Sequence, residues 1–292
     1  MTLRDEDIQS RDWQSVWPAP AKLNLFLHVV GRRTDGYHRL QTLFRFLDYG
    51  DSLRFSPRAD AQITLARPLP GVLPEDDLCV RAARLLQRVS GCDQGARITL
   101  GKRIPVGGGL GGGSSDAATT LIALNHLWQL HLPRRQLQEM ALELGADVPA
   151  FVLGRDAFAE GVGEELTPVD LPDACYLLVF PPVFVPTARV FAHPELRRDT
   201  PRLTFADWRP GNGRNDLEPV VCALYPEVAQ ALAQLRRYAP DSRMSGSGAT
   251  LFAECPDETA ALALAQKLPL RTVIAPAAAP QAEDGKPGLR SI

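Results

Sequence analysis

Val106-Gly107-Gly108-Gly109-Leu110-Gly111-Gly112-Gly113-Ser114-Ser115-Asp116 is the stretch on which the reading of this chain turns. Six glycines in seven residues cost backbone entropy that a plain turn does not require. The run lies between a short strand pattern, Ala96 to Leu100, and a helical pattern that puts Ala117, Leu121, Leu124 and Trp128 on one face. Ser114 or Ser115 can cap that helix, whose first N–H groups are unpaired and carry the positive end of its dipole. Glycine-rich backbone ahead of a helix N-terminus closes on an anion. The unit therefore reads as a phosphate cradle; a flexible linker would not be pinned between a strand and a helix.

The two common phosphate loops do not fit. Gly107, Gly109 and Gly112 satisfy GxGxxG, but a dinucleotide fold needs an acidic residue about 20 positions on, ending a second strand. That region is Leu132-Pro133, leading into a helix. A Walker loop needs Lys after its last Gly, and here Ser114 follows Gly113.

The rest of the chain bounds the setting. Its 292 residues, 45% hydrophobic and 23% charged, are globular in composition, enough for two domains at roughly 150 residues each. A net charge of −2 gives no global field toward nucleic acid or an anionic membrane, so neither is an expected partner. The most apolar run, Cys175 to Pro186, is too short to span a bilayer and holds Pro181 and Pro182. Five cysteines without a CxxC pair read as reduced thiols, and the polar N-terminus is unlike a signal peptide. A cytoplasmic protein is expected, as a monomer or weak homodimer.

Residues 1–17 read as a loose arm. Ala21 to Val30 alternates Leu23, Leu25, Leu27, Val29 against Lys22, Asn24, Phe26, His28, the period of a strand. Leu40–Leu47 and Ser52–Phe55 read as two further strands parted by a turn at Tyr49-Gly50-Asp51. Helices are expected over Leu78–Val89, from Pro133 to about Leu144 with Gly145 as C-terminal cap, near Pro226–Tyr238 and near Glu258–Leu268. The tail from Ala275 is rich in Ala, Pro and Gly and is expected to be disordered. Strands and helices mix without regular alternation, which predicts an α+β fold.

Taken singly, the chemistry-bearing residues are ambiguous. Asp147, in Gly145-Ala146-Asp147-Val148-Pro149, suits either a general base or a helix N-cap. Lys22, on an apolar strand, wants a carboxylate, structural or catalytic. Asn24 can orient a hydroxyl or bond within the strand. Tyr37 and Phe191 alone read as core, and His38 as a surface histidine.

Three motifs resolve part of this. The glycine run with Pro105 before it and Ala117-Ala118 after it resembles the ATP loop of the galactokinase, homoserine kinase, mevalonate kinase and phosphomevalonate kinase superfamily. Pro20-Ala21-Lys22-Leu23-Asn24-Leu25 resembles its N-terminal motif, and Ser245-Gly246-Ser247-Gly248-Ala249-Thr250 its C-terminal glycine motif. Further stretches, Arg33-Thr34-Asp35-Gly36-Tyr37-His38, Gly145 to Pro149 and Arg214-Asn215-Asp216-Leu217-Glu218, are similar to the branch that phosphorylates a cytidine diphosphate-linked methylerythritol in the non-mevalonate isoprenoid route. The resemblance spans residues 18–272. It implies a two-domain small-molecule kinase fold, with an N-terminal kinase domain over 18–162, a C-terminal domain over 163–274 and a tail over 275–292, and an active site in the cleft between domains.

The same resemblance implies site roles. Asp147 and Lys22 would be catalytic. Asn24, Tyr37, His38, Thr187 and Phe191 would hold the acceptor, Tyr37 and Phe191 sandwiching cytosine and His38 bonding its edge. Pro105 to Ser115, with Gly246, Ser247 and Gly248, would hold the ATP phosphates. Magnesium is expected to accompany ATP, with no protein ligand assigned. The adenine-side segment usually begins with Asn; Asp77 stands there, and an ionised Asp cannot donate a hydrogen bond. The competing readings are another kinase of the superfamily, which would have no base to stack, and a non-catalytic nucleotide-binding protein, which would not need both Lys22 and Asp147.

Overall fold

The computed structural model describes Leu3, residues 5–209 and residues 213–278. Its elements run α1 (Asp5–Gln9), β1 (Trp17–Arg32), β2 (His38–Arg58), β3 (Ile63–Leu65), α2 (Leu78–Ser90), β4 (Gly95–Gly101), α3 (Gly112–Leu127), α4 (Arg134–Ala141), α5 (Val148–Leu153), β5 (Ala157–Glu160) and β6 (Glu165–Pro168). The second half adds β7 (Cys175–Val179), α6 (Thr187–Phe191), a 3-10 turn (Phe205–Asp207), α7 (Glu218–Leu224), α8 (Pro226–Arg236), β8 (Arg243–Met244), β9 (Leu251–Cys255), α9 (Glu258–Ala265) and β10 (Thr272–Pro276). This is the α+β architecture expected. A six-stranded sheet has the order β3-β4-β2-β5-β6, with β1 paired to β2; a second sheet has the order β10-β7-β9-β8.

Three apolar clusters tie these layers together. The first lies between the larger sheet and α2, α3, α4 and α5, around Trp17, Phe55, Leu86 and Leu121. The second packs the smaller sheet on α7, α8 and α9 through Leu177, Val221, Leu232 and Leu251. The third joins the two halves, setting Phe26, Leu43 and Leu47 against Tyr176, Leu178 and Phe252. Helix α3 is buried on every side from Ser115 to Leu124, as befits a helix enclosed by other elements rather than one with a single inward face.

Several elements depart from the sequence reading. Residues 38–58 are one continuous strand, not two. Gly50 is no turn residue: it faces Pro20 across the β1–β2 ladder, where a Cβ would come within 2.7 Å of the Pro20 Cα. A glycine inside a strand here permits close backbone approach. Helix α4 ends at Ala141, and Gly145 does not cap it; the Gly145 carbonyl instead accepts from Val148 N at 3.1 Å, at the entry to α5.

The N-terminal arm is not loose. Leu3 and Trp17 are buried in the first cluster, and His126 Nε2 meets the Arg11 carbonyl at 2.9 Å. At the other end, β10 crosses the expected domain limit, with Ala275 fully buried against β7. Ala278 N donates to Phe46 O at 2.9 Å. Residues 275–278 thus belong to the fold; the rest of the expected tail, 279–292, lies outside the described residues.

Candidate active site

A cleft of about 940 Å³ runs between the two halves, lined by β1, the turn after it, the glycine loop, the start of α3, α6 and the loop before β9. The glycine loop forms its floor. Gly107, Gly109 and Gly111 take positive φ, and α3 starts at Gly112 with Gly111 in the cap position. No side chain caps this helix, so its first N–H groups have no side-chain acceptor. Ser114 faces the cleft. Ser115 neither caps the helix nor faces the cleft: it is fully buried, and its hydroxyl donates to Pro20 O at 2.7 Å. Leu110 also turns inward, its carbonyl accepting from Lys22 N at 3.1 Å. Pro105, Val106, Gly107, Gly108, Gly109, Gly111, Gly112 and Gly113 line the cleft.

The second glycine segment locks onto the first. Thr250 N donates to Gly108 O at 3.2 Å, and Ser245 Oγ donates to Gly109 O at 3.0 Å. Gly246 and Ser247 reach the cleft, whereas Gly248 N turns back to Ser245 O at 3.0 Å. Asn215 holds this segment from below, donating to Met244 O at 2.8 Å and Gly246 O at 2.7 Å. Thr187 and Ser247, expected on different ligands, share a hydroxyl–hydroxyl hydrogen bond of 2.7 Å.

Beside the loop, Lys22 and Asp147 meet. Register shifts in the β1–β2 ladder flank Lys22 and Asn24, and such irregularities re-aim side chains. Lys22 is 3% exposed; its Nζ lies 2.6 Å from Asn24 Oδ1, 3.3 Å from Gly109 O and 3.3 Å from Asp147 Oδ2. Asp147 stands at the N-cap position of α5, yet its side chain makes no capping hydrogen bond. The simple helix-cap account of this residue therefore fails. Asn24 Nδ2 donates to Thr42 Oγ1 at 2.8 Å, so both ends of this amide are engaged within the protein.

Tyr37, His38 and Phe191 line the same cleft. Tyr37 is 66% exposed there. Phe191, at the end of α6, has its ring 5.1 Å from that of His38, at an interplanar angle of 33°. Among the described residues the ring neighbour of Phe191 is thus His38 rather than Tyr37. Arg198 Nε donates to His38 Nε2 at 3.1 Å. Burial, followed by the charges of Arg198 and Arg32, holds the imidazole below its usual pKa.

Beneath the start of α3 lies a buried ionic group. Lys102 Nζ contacts Asp116 Oδ2 at 2.9 Å and also pairs with Asp51 Oδ2. Burial drives the Asp116 carboxyl up to about 7, against the pull of Lys102 and helped by Asp51. For Lys102, burial works against the charge, but the two carboxylates outweigh it and raise its pKa. Asp77 caps α2, accepting from Cys79 N at 2.8 Å. Among the described residues no group of three or more His, Cys, Asp or Glu side chains could hold a metal, and no helix is long and apolar enough to cross a membrane.

Sequence reasoning missed Arg198, Lys102, Thr42 and the positioning of the second glycine segment by Asn215. Arg198 and Lys102 carried no signal beyond ordinary basic residues. Asn215 sat in a quoted motif without a role.

Lobes meeting at two interlocked glycine segments, with a Lys–Asp pair beside them, define a class: the chain belongs to the GHMP kinases, small-molecule phosphotransferases. Models of the GHMP kinases N terminal domain and the GHMP kinases C terminal domain match residues 77–155 and 199–272. Within that class it is a member of the 4-diphosphocytidyl-2-C-methyl-D-erythritol kinase family. The enzyme of that name from Dechloromonas aromatica is 60% identical over 82% of this chain and 87% of its own length. The one from Bordetella parapertussis is 63% identical over 82% of this chain and 81% of its own. A crystal structure of 4-(cytidine 5'-diphospho)-2C-methyl-D-erythritol kinase superposes with a TM-score of 0.76 at 36% identity, covering 91% of this chain and all of the other. Methanococcus jannaschii mevalonate kinase shares the fold, with a TM-score of 0.67 at 13% identity, covering 91% of this chain and 98% of its own.

Proposed function

We propose that the protein transfers the γ-phosphoryl group of ATP to the 2-hydroxyl of 4-diphosphocytidyl-2-C-methyl-D-erythritol, in the cytoplasmic non-mevalonate route to isoprenoid precursors. The observation that carries this reading is one cleft that brings three chemistries together. The glycine loop and the start of α3, the Lys22–Asp147 pair, and Tyr37, His38 and Phe191 all line it. The names of the relatives at 60% and 63% identity support the same substrate.

The mechanism follows from the chain's own groups. A phosphoryl transfer needs the hydroxyl oriented, its proton accepted and the charge on the moving group stabilised. Backbone N–H groups of the loop and of the first turn of α3 bind the phosphates, with no loop lysine. The Asp147 carboxylate takes the proton of the acceptor hydroxyl. Lys22, aimed by Asn24 and the Gly109 carbonyl, steadies the alkoxide as it forms. Asn24 acts through Lys22 as a positioning residue. The aromatic end holds the base, fixing the distance from nucleobase to hydroxyl. The phosphoryl group passes directly, with no phosphoenzyme.

The donor set fits a magnesium ion that arrives on the ATP phosphates rather than one caged by protein. Mg²⁺ keeps several waters and takes only one or two protein oxygens alongside phosphates, and Ser114, Asp116 and Asp147 are among the oxygen-bearing side chains that line the cleft. When bound, the ion supplies charge neutralisation at the phosphates.

An ATP-consumption assay with the cytidine compound, run beside homoserine and mevalonate, tests the proposal. Turnover is expected with the cytidine compound alone. Equal turnover of either other alcohol would overturn it.

A further inference from the structure

Arg198 makes more contacts around the acceptor end than any role considered so far requires. It follows α6 in a short irregular segment and is only half-buried. Its Nη2 donates to Phe191 O at 3.2 Å and His193 O at 2.8 Å. Its Nη1 donates to Leu196 O at 2.8 Å. The remaining donor, Nε–H, goes to His38 Nε2 at 3.1 Å, across from one half of the protein to the other.

A guanidinium has five N–H donors, no acceptor, and stays protonated. The ring nitrogen facing Arg198 must therefore be the one with the lone pair. His38 is neutral at working pH, because burial, Arg198 from this segment and Arg32 from β1 all oppose its charge. A neutral imidazole carries one proton, and here it can sit only on Nδ1. Among the described residues Nδ1 has no protein partner, and His38 lines the cleft. The site therefore offers a ligand a donor at this atom and not an acceptor.

We propose that Arg198 is a specificity-determining positioning residue that locks His38 in its Nδ1–H tautomer and fixes the His38–Phe191 ring pair. This rests on the cytidine reading of the acceptor end and deepens it. A cytosine edge presents two acceptors, O2 and N3; uracil keeps O2, so the partner of the Nδ1–H donor that tells the two bases apart is N3. Uracil carries a proton on N3, so the same donor meets a donor. The discrimination thus comes from a hydrogen bond that the wrong base leaves unmade, the strongest kind of rejection available to a pocket. Without Arg198, Nε2 is free to take the proton, and the ring then presents a lone pair instead.

The test uses ¹⁵N spectra of the full chain labelled at histidine, together with steady-state kinetics. In the unliganded enzyme His38 is expected to show the Nδ1–H pattern, and in Arg198→Met the Nε2–H pattern. Arg198→Met should raise the KM for the cytidine compound about tenfold, leave the KM for ATP within about twofold, and flatten the preference for cytidine over uridine. In the double variant His38→Ala/Arg198→Met, the cytidine KM should equal that of His38→Ala, because Arg198 acts through the ring. An Nε2–H pattern in the wild type overturns the proposal, as does the same tautomer with and without Arg198, or additive effects in the double variant. If Arg198→Met does not fold, the wild-type tautomer and Arg198→Lys decide: the lysine variant must keep the Nδ1–H pattern. Failure of the wild type to use the cytidine compound sinks the substrate reading instead, and leaves the tautomer result to stand or fall alone.

Discussion

Lys22 Nζ and Asp147 Oδ2 stand 3.3 Å apart, one on β1 and the other at the entry to α5, with Lys22 4% exposed at its side chain and Asp147 36%. The pair is asymmetric. Lys22 is enclosed and held by two further oxygens, Asn24 Oδ1 and Gly109 O, while the carboxylate remains open to the cleft. The lysine is held in place on the protein side, and the carboxylate is the more exposed member of the pair, the one to which the proposed mechanism gives the substrate proton.

Asp147→Asn should therefore fold normally and bind both substrates, since Lys22 keeps two of its three oxygens. Turnover should fall about 10²–10⁴-fold, the usual range for a lost general base. Single-turnover kinetics on the folded variant check this. Near-wild-type turnover would show that the carboxylate does not carry the proton.

Gly111→Val should damage more than ATP binding. Gly111 has φ +70, and a Cβ there would lie 2.6 Å from Phe151 Cζ and 3.1 Å from Lys22 Cε. The substitution is expected to lose about 1–3 kcal/mol of stability from backbone strain, weaken ATP binding and displace Lys22, so that turnover falls as well. Calorimetry with ATP and thermal unfolding provide the measurements. Unchanged ATP affinity would argue against the loop as a phosphate cradle.

Tyr37→Ala should spare stability, because the ring is 66% exposed and exposed substitutions stay within about 0.5 kcal/mol. Acceptor binding should lose roughly 1–3 kcal/mol, the value of stacking one base on an aromatic ring, or about 5–150-fold. ATP affinity should stay level. An acceptor affinity equal to wild type would remove Tyr37 from the base-binding end.

Asp116→Asn should stabilise the protein at alkaline pH relative to acid pH. In the folded chain this carboxyl holds its proton up to about 7, and in the unfolded chain only to its ordinary 3.8. The folded state thus binds the extra proton between those values, and stability falls as pH rises through them. The asparagine variant lacks this loss, and Lys102 keeps Asp51 as its partner. The difference in Tm, variant minus wild type, should grow by on the order of 3 °C between pH 5 and pH 8. A difference that shrinks over that interval would refute the raised carboxyl.

Much of the site was legible because its requirements are local. A backbone that takes positive φ at Gly107, Gly109 and Gly111 needs residues without side chains, and such a need is written directly into composition. The alternation from Lys22 to Val29 likewise marked β1, although burial of both faces hid which side was inward. The readings that failed did so where a local rule had a tertiary competitor. Ser115 has the side chain of a helix cap, but Pro20 O on β1 takes its hydroxyl. Gly50 has the composition of a turn, but its role is set by the backbone of Pro20 across the ladder.

Sequence alone determined the α+β class and the glycine run ahead of α3, and marked Lys22 and Asp147 as candidates, since backbone propensity, periodicity and motif are properties of neighbouring residues. Tertiary structure decided which groups meet. The ladder irregularities beside Lys22, the placement of α5 behind α3, and the passage of Arg198 across to His38 each depend on contacts between distant segments. A lysine, a carboxylate or an arginine acquires its chemistry from the charges and hydrogen-bond partners within a few ångströms, and chain order does not encode that distance.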